Sequence, residues 1–402
     1  MQLVERHVIQ RADPRFKPID AAAFASKNLY NTANYVVRQS FIHEGVSLTY
    51  HEMHRRMKDH AAYQKLPAKV AQWVLRLLDK NWQSFFEALL AWQADPSKFL
   101  GRPKLPGYKD KQKGRNLLVY TIQALSAPAL RDGRIRPSML GSAVETKHTD
   151  IQQVRIVPRH SYYVVEVIYE QAPIQAEVDP ALRAGGDIGV DNLATLASDK
   201  PGFIPRIVNG RPVKSSNQYY NKRRAELQSR LERKGTSHRL ERLTTQRTRR
   251  IDHYLHTASR RIIDLLVAAG IGALVIGKNP LWKQEVHRGR RTTQQFVCIP
   301  HARFIEMLTY KAELVGIRVL VSEESSTSKA SFLDGDPLPV YGAAEIPTFS
   351  GRRVKRGLYR AADGTPLNAD VNGAYDIIRT VAPEAFAQGS RGCVVHPMRL
   401  AA

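Results

Sequence analysis

Acidic side chains at the ends of predicted elements are the residues of this sequence best suited to metal-dependent chemistry. Asp187 ends a glycine-containing apolar strand. Glu323 and Glu324 follow another apolar strand at 317–322, and Asp370 opens a predicted helix. Carboxylate oxygens are hard ligands that select Mg²⁺ or Mn²⁺ over zinc. Three carboxylates from such distant positions are typical of a site for two ions, which can stabilise both the attacking and the leaving oxygen of a phosphodiester during hydrolysis.

Two of these acids, taken alone, also have a simpler interpretation. Asp187 could be a turn residue, and Asp370 could be the cap of its helix. Asp191, four residues after Asp187, is assigned to the turn that follows the strand. Only the combination of the acids favours a metal site over these structural roles.

The composition of the 402 residues predicts a polyanionic partner. Lys and Arg number 61 against 37 Asp and Glu, which gives a formal net charge of +24 and a pI of about 10.1. Such an excess predicts binding to nucleic acid, and a basic protein without this partner is the alternative. The hydrophobic share of 43% is sufficient for buried cores, and the length indicates two or three domains.

The rarer residues exclude several classes of protein. Cys298 and Cys393 form no CxxC pair, which excludes a disulfide framework and a cysteine zinc site. The sequence has no run of 18 apolar residues that would predict a transmembrane helix, and its first residues lack the apolar core of a signal peptide. We therefore expect a cytoplasmic protein with no membrane partner.

Hydrophobic periodicity predicts different element patterns in the two halves of the chain. The first half contains a short strand, helical segments at 21–42 and 67–92, and later strands that form a small antiparallel barrel or sheet. The second half runs strand, strand, long helices, strand, helix, strand, helix, which indicates a mixed sheet flanked by helices. The strands at 271–277 and 317–322 are both predicted to be buried.

Three basic segments could contact a phosphate backbone. The first is the proline-rich loop 101–115, the second is the helical region 217–270 with a break at 235–237, and the third is the loop-rich region 325–367. Each could instead be a solvated surface. The candidate contact residues are Lys104, Tyr108, Lys109, Arg115, Arg223, Arg224, Arg249, Arg250, Arg352, Arg353 and Arg356.

Four stretches of the chain, in order, resemble the TnpB (OrfB) proteins of bacterial insertion sequences. Residues 186–195 resemble the first RuvC motif of that family, and residues 368–374 resemble the third. Residues 327–331 match an element that lies between them, and residues 104–109 resemble a basic element of the N-terminal half. The family is similar to the ancestors of type V CRISPR effectors.

The resemblance implies an RNA-guided DNA endonuclease of a transposable element. Such a protein, expected as a monomer with its RNA, binds a guide RNA from the element's own end and reads a short motif beside its double-stranded DNA target. The implied fold class is α/β plus β, with a ribonuclease H-like RuvC domain at 181–402 that contains a zinc-less loop or lid insertion at 325–367. A wedge-like β-barrel at 1–20 and 100–180 would carry a helical recognition insertion at 21–99.

Two departures from the family pattern affect the site. Most relatives have a glutamate at the position of Gly277 and a four-cysteine zinc element where Ala330 and Ser331 stand, so no zinc is expected. A subset of the family lacks the usual glutamate and carries a Glu-Glu-Ser stretch, which this chain has at 323–325. The similarity to this subset implies that the glutamate of the metal site is relocated to that stretch. Because neighbouring strand residues face opposite sides, only one of Glu323 and Glu324 should reach the ions. We favour Glu324, with Glu323 as the alternative.

Asp187, Glu324 and Asp370 are thus the predicted ligands of two Mg²⁺ or Mn²⁺ ions, and Glu285 is a less favoured candidate. Two other functions stay open. A nuclease-dead, RNA-guided DNA-binding repressor would keep the fold and the charge without a complete metal site, and a transposase would act directly on the element ends. Retention of both Asp187 and Asp370 favours the nuclease over the repressor.

Overall fold

The chain folds as two compact units, Met1–Gln171 and Ala172–Ala402. The computed structural model describes residues 1–231, 235–279, 289–323, 327–339, 347–387, 389 and 393–401. Within these ranges, none of the helices has both the length and the apolar composition that are needed to cross a membrane.

The first unit combines helices with an antiparallel sheet. Its helices are α1 (Phe16–Gln39), α2 (Tyr50–Met57), α3 (Ala61–Gln64), α4 (Ala68–Ala94) and α5 (Ala127–Arg131). Its strands are β1 (Gln2–Gln10), β2 (Leu118–Thr121), β3 (Arg134–Ile135), β4 (Val144–Glu145), β5 (Ile151–Pro158) and β6 (Tyr162–Glu170). The helical spacing of Val70, Val74 and Leu78 gives α4 a buried stripe, as the sequence predicts.

The main sheet of the first unit has the strand order β1-β6-β5-β2, with antiparallel pairs throughout. β1 pairs along its whole length with β6, from Gln2 opposite Glu170 to Gln10 opposite Tyr162. Buried residues of α1, α4 and this sheet share one core. The helix predicted at 21–42 begins earlier, because Pro18 lies in the first turn of α1, where a missing backbone N–H costs nothing.

The second unit alternates strands and long helices. Its strands are β7 (Asp179–Asp187), β8 (Asn192–Ser198), β9 (Arg206–Asn209), β10 (Ile271–Gly277), β11 (Arg318–Ser322), β12 (Arg352–Lys355), β13 (Leu358–Arg360), β14 (Pro366–Asn368) and β15 (Met398–Leu400). Its helices are α6 (Arg211–Ser229), α7 (His238–Ala268), α8 (Arg290–Cys298), α9 (His301–Glu313) and α10 (Ala369–Val381). The hydroxyl of Ser237 accepts the N–H of Leu240 and caps α7, directly after the predicted break at 235–237.

A mixed sheet forms the centre of the second unit, with the described strands in the order β11-β10-β7-β8-β9-β15. β7, β10 and β11 are parallel, whereas β8 is antiparallel to both of its neighbours. The core on one face is shared with α7 and α9, and a second cluster on the other face contains residues of α10. This is the mixed sheet flanked by helices that the sequence predicts.

Two predictions for the second unit are wrong in detail. β10 is fully buried as expected, but β11 is not, and Val321 is 55% exposed. The reason is position, since β11 lies at the edge of the sheet. Within the region predicted to be loop-rich, β12, β13 and β14 form a small antiparallel sheet. These strands of three or four residues are too short to show a clear apolar alternation.

Candidate metal centre

Asp187 stands at the carboxyl end of β7, in the interior of the mixed sheet. The neighbouring strand β10 runs parallel, with Ile276 opposite Gly186, so both strands end at the same edge. β11 also ends there, with Ser322 opposite Gly277. In open α/β sheets, ligands bind beside the carboxyl ends of the strands. The topology therefore brings the position of Asp187 and the residues after β11 to one edge.

α10 packs closely on β7 and meets Asp187. Gly185 permits this approach, because a β-carbon there would lie 2.0 Å from the carbonyl oxygen of Ala374. A β-carbon built at Gly373 would lie 3.4 Å from Oδ2 of Asp187. The Asp187 carboxylate therefore lies against α10 one helical turn after Asp370.

Asp370 lies in the first turn of α10 and is oriented by two amides. The side-chain oxygen of Asn368 accepts the backbone N–H groups of Asp370 and Val371 at 3.0 and 3.2 Å, so Asn368 is the helix cap and Asp370 is not. Asn192, the first residue of β8, donates from Nδ2 to Oδ2 of Asp370 at 2.7 Å. The Asp370 side chain is 27% exposed. Its carboxylate is thus held in place and still open to solvent.

A third acid does not join these two within the described residues. Glu323 directly follows β11 and is exposed, and Gly277 offers no side chain where most relatives of the expected family have a glutamate. The favoured Glu324 and the less favoured Glu285 lie outside the described residues. In the parts of the chain that the structure describes, no group of three or more His, Cys, Asp or Glu residues could hold a metal ion.

Ser322 identifies the face of β11 that is turned toward α10. Its hydroxyl lies 2.8 Å from Oγ1 of Thr380, which belongs to α10. Asp187 faces the same helix, as its proximity to Gly373 shows. Alternation along a strand assigns position 323 to the opposite face.

Two arginines on and after β12 contact acids at this edge. Arg353 lies 3.5 Å from Oδ1 of Asp370, and Arg356 lies 2.6 Å from Oδ2 of Asp191. Asp191 is in the turn between β7 and β8, as predicted, and Lys214 contacts its other oxygen at 2.7 Å. The hydrogen bond from Lys214 and the charge of Arg356 lower the pKa of Asp191. Asp191 is thus an anionic anchor for the β12–β13 hairpin.

Hydrogen bonds to carboxylates join the segments between β11 and α10. Asp336 accepts the backbone N–H groups of Ser331 and Ser350. Asp334 accepts the hydroxyl of Ser331 and the backbone N–H of Ala362. Ser331, where the expected family has its cysteine element, therefore contributes hydrogen bonds to the architecture of this region.

The loop 101–115, which we call the strap, lies along α1 in the first unit. The Arg115 guanidinium donates to both carboxylate oxygens of Asp20 at 2.8 and 2.7 Å, which lowers the pKa of Asp20. Lys109 is half-buried, with its ammonium 4.9 Å from the centre of the Tyr30 ring, and burial lowers its pKa. Both residues thus take part in holding the strap.

Other predicted contact residues stand on open surfaces. Those exposed are Lys104, Tyr108, Arg223, Arg224, Arg249, Arg250, Arg352, Arg353 and Arg356. On α6, Arg223 pairs with Glu226, which also contacts Arg230 at 2.8 Å. One acid, Glu226, therefore accompanies two arginines in and just after this helix, and the positive surface is less uniform than the composition indicates.

Two residues that orient Asp370 are absent from the site predicted from the sequence. Asn368 was within reach of sequence reasoning, because asparagine just before an apolar helix is a preferred cap. Asn192 was not, because its contact with Asp370 spans 178 residues. No local pattern indicates such a contact.

Comparison with known proteins gives family matches over two segments of the chain. Residues 165–282 match the family OrfB_IS605, described as "Probable transposase", and residues 301–377 match the family "Cas12f1-like, TNB domain". The first match includes Asp187, and the second includes Asp370.

Individual relatives agree with these families. The chain is 22% identical over 404 residues to the TnpB-like protein ORF457 of Acidianus two-tailed virus, an alignment that covers 88% of this chain and 81% of that protein. The cryo-EM structure of the Cas12f1–sgRNA–target DNA complex is similar in fold, with a TM-score of 0.52 at 14% identity, over 89% of this chain and 81% of that chain. The expected fold class, a mixed α/β protein with a RuvC-like domain and helical regions, is confirmed. Taken together, these matches make the chain similar to TnpB proteins and to the type V effectors, and they support a TnpB-like relative of those effectors.

Proposed function

We propose that this chain is an RNA-guided DNA endonuclease of a transposable element. The observation that carries the proposal is the convergence of Asp187 with the first turns of α10, where Asn192 orients Asp370. One carboxylate on a strand end and one on a helix start are thereby brought to the same edge of the sheet. The family matches support a nuclease of insertion sequences at the family level.

The two acids fit a site for Mg²⁺ or Mn²⁺, because their donors are all carboxylate oxygens. We propose Glu324 as the third ligand. Glu323 is the less favoured alternative, because Ser322 contacts α10 through Thr380 and strand alternation directs the next side chain away from that helix. Two bound ions would supply charge stabilisation for the attacking and leaving oxygens of a phosphodiester.

The surrounding side chains would position the acids and the nucleic acid. Asn192 holds one oxygen of Asp370, which fixes the direction of its remaining lone pairs. Arg353 stands beside Asp370 and Arg356 beside Asp191, both on an exposed hairpin. Guanidinium groups pair with phosphate oxygens in a bidentate manner. A strand that enters this edge would therefore meet cations next to the acids. Guide RNA and target DNA would be bound by backbone shape and charge, and base pairing would select the sequence.

One observation favours a second candidate, a nuclease-dead RNA-guided repressor. Arg353 lies 3.5 Å from Oδ1 of Asp370, where it competes with a metal ion for the carboxylate. A chain without the third ligand would retain binding and lose cutting.

The test uses full-length protein that is purified together with RNA from the element's end and is offered a matched plasmid with Mg²⁺. We expect cutting that requires both the match and the metal. Asp187→Ala and Asp370→Ala should abolish cutting and leave plasmid binding intact. Glu323→Ala is the matched control for Glu324→Ala, because both remove one carboxylate from the same short segment.

Three other outcomes would change the conclusion. Tight binding without cutting in Mg²⁺ or Mn²⁺ would identify the repressor. Cutting that survives Glu324→Ala and is lost with Glu323→Ala would move the third ligand by one residue. Joining of element ends in the absence of RNA would identify a transposase.

A further inference from the structure

Side chains of α1 satisfy much of the strap's backbone. The Asn31 amide accepts the N–H of Lys109 and donates to the carbonyl of the same residue, both at 2.9 Å, as a neighbouring strand would. Asn34 donates to the carbonyl oxygen of Pro106 at 3.0 Å. The remaining contacts of α1 with the strap include Lys27 with Lys111, Arg38 with Pro106, and Asp20 with Arg115. An extended segment is thereby held without forming a sheet.

The α1 residues in these contacts lie on one helical face. Asp20, Lys27, Asn31, Asn34 and Arg38 are separated by seven, four, three and four positions, which is the spacing of a helix stripe. Lys27 is 2% exposed and Asn34 is fully buried, although both are polar. Their burial is explained by the strap, whose carbonyl groups they satisfy. The strap is therefore ordered before any partner binds.

An open cleft of about 410 Å³ lies between the strap and α4. Phe85 and Pro106 give it apolar walls, while Asn81 and Ser84 add exposed polar side chains. Lys104 of the strap also lines it. A nucleobase has two apolar faces and a polar edge, so the lining matches this chemistry. The cationic strap at the mouth matches the phosphates on either side of a base.

We propose that this cleft receives one unstacked base of a bound polynucleotide strand, while the neighbouring phosphates contact lysines of the strap. Lys104, Lys111 and Lys113 are exposed for this purpose. The inference rests on the proposed function, because that function brings single-stranded nucleic acid to the protein. The strand is either RNA or DNA, which share this chemistry.

Two glycines of the strap allow a matched test. Gly107 lines the cleft, and a β-carbon there would meet nothing within 4 Å. Gly107→Leu therefore adds bulk at the cleft without a backbone clash. Gly101 has equally open surroundings and is outside the cleft lining, so Gly101→Leu is the control. Equal thermal unfolding midpoints of both variants and the wild type would establish that the fold is retained.

The measurement is fluorescence anisotropy of full-length protein with short labelled strands of about 12 nucleotides. Oligouridine RNA and oligothymidine DNA are each compared with an abasic strand of the same backbone. We expect Gly107→Leu to weaken binding of a base-bearing strand about 5- to 150-fold, the range known for stacking of one base. Binding of the abasic strand should be unchanged, and Gly101→Leu should match the wild type.

Comparison of the RNA and DNA measurements identifies which strand the cleft binds. Only the strand with the same sugar as the natural ligand should show the full loss of affinity in Gly107→Leu. Unchanged binding of base-bearing strands by Gly107→Leu would overturn the base cleft, as would equal losses for abasic and base-bearing strands. Failure of the wild type to bind any strand would overturn the proposed function together with the inference. In the wild type, photocrosslinking of 4-thiouracil in the strand should label peptides with Phe85 or Tyr30, and labelling elsewhere alone would count against the cleft.

Discussion

Neutral amides, more than charges, orient the acid on α10. Asn368 fixes the backbone of the first turn, and Asn192 holds the carboxylate of Asp370 at 2.7 Å. An amide can orient a carboxylate without neutralising it, so the negative charge stays available to a cation. Arg353, in contrast, competes with a cation for the same group at 3.5 Å. Metal binding should therefore loosen the contact of Arg353 and keep that of Asn192.

Asn192→Ala tests the role of this amide. Because residues that orient metal ligands typically contribute 10- to 100-fold to metal affinity or activity, we expect a loss of about that size in cleavage at low Mg²⁺. Higher Mg²⁺ should restore part of the rate. Asn209→Ala is the control, since Asn209 is the strand partner of Asn192 across β8 and β9. An equal loss in both variants, or a loss that Mg²⁺ does not reduce, would argue for general damage to the sheet.

Asp376 predicts a pH dependence of stability. It is fully buried on α10, with Arg379 at 2.8 Å, and burial raises its pKa to about 7. Since this value lies above the ordinary 3.8, the folded form binds more protons than the unfolded form between about pH 4 and 7. The free energy of unfolding should therefore fall as the pH rises through this window.

Asp376→Asn should remove this fall while keeping an acceptor for Arg379. Between pH 4 and pH 7.5, the free energy of unfolding of the variant should rise by roughly 2–4 kcal/mol relative to that of the wild type. Urea unfolding at several pH values measures this difference. Asp264→Asn on α7 is the control, because that side chain is half-exposed. A difference between Asp376→Asn and the wild type that does not change with pH would contradict the assignment.

At the scale of elements, the packing of α10 on β7 decides whether the acids can meet. Gly185→Ala would place a β-carbon 2.0 Å from a helix carbonyl, whereas the nearest atom to a β-carbon at Gly186 lies at 3.6 Å. We expect Gly185→Ala to lower the free energy of unfolding by about 1–3 kcal/mol or more, as overpacked cores do. The thermal unfolding midpoint of the control variant, Gly186→Ala, should stay near that of the wild type. Similar midpoints for both variants would show that α10 moves aside easily.

Elements inside the mixed sheet could be predicted from the sequence, and elements at its margin could not. β10 is apolar throughout, and its burial follows from that pattern alone. β11 has similar residues, yet its edge position depends on the order of distant strands. The positions of Asp187 and Asp370 at element ends follow from local pattern as well. The contact of Asn192 with Asp370 does not, because only the folded sheet brings them together.

At the scale of the whole molecule, the net charge of +24 should dominate binding to polynucleotides. If 6–10 phosphates are contacted, affinity should fall about 10³- to 10⁵-fold between 50 and 200 mM salt, through release of counterions. Anisotropy titrations at several salt concentrations measure this slope. A peptide nucleic acid of the same sequence, which has a neutral backbone, is the control and should show little dependence. A flat response with DNA or RNA would contradict an electrostatic interface.

The pairing of β1 with β6 delays the completion of the first sheet during synthesis of the chain. Gln2 pairs with Glu170, so β1 has no partner strand from its own synthesis until β6 has been made. At 5–20 residues per second, this interval lasts roughly 8–35 seconds. During that time β1 is a free edge beside other nascent chains on the same messenger. Glu5 and Arg6 place charged side chains on this edge, and such charges disfavour pairing of β1 with another chain before β6 has been made.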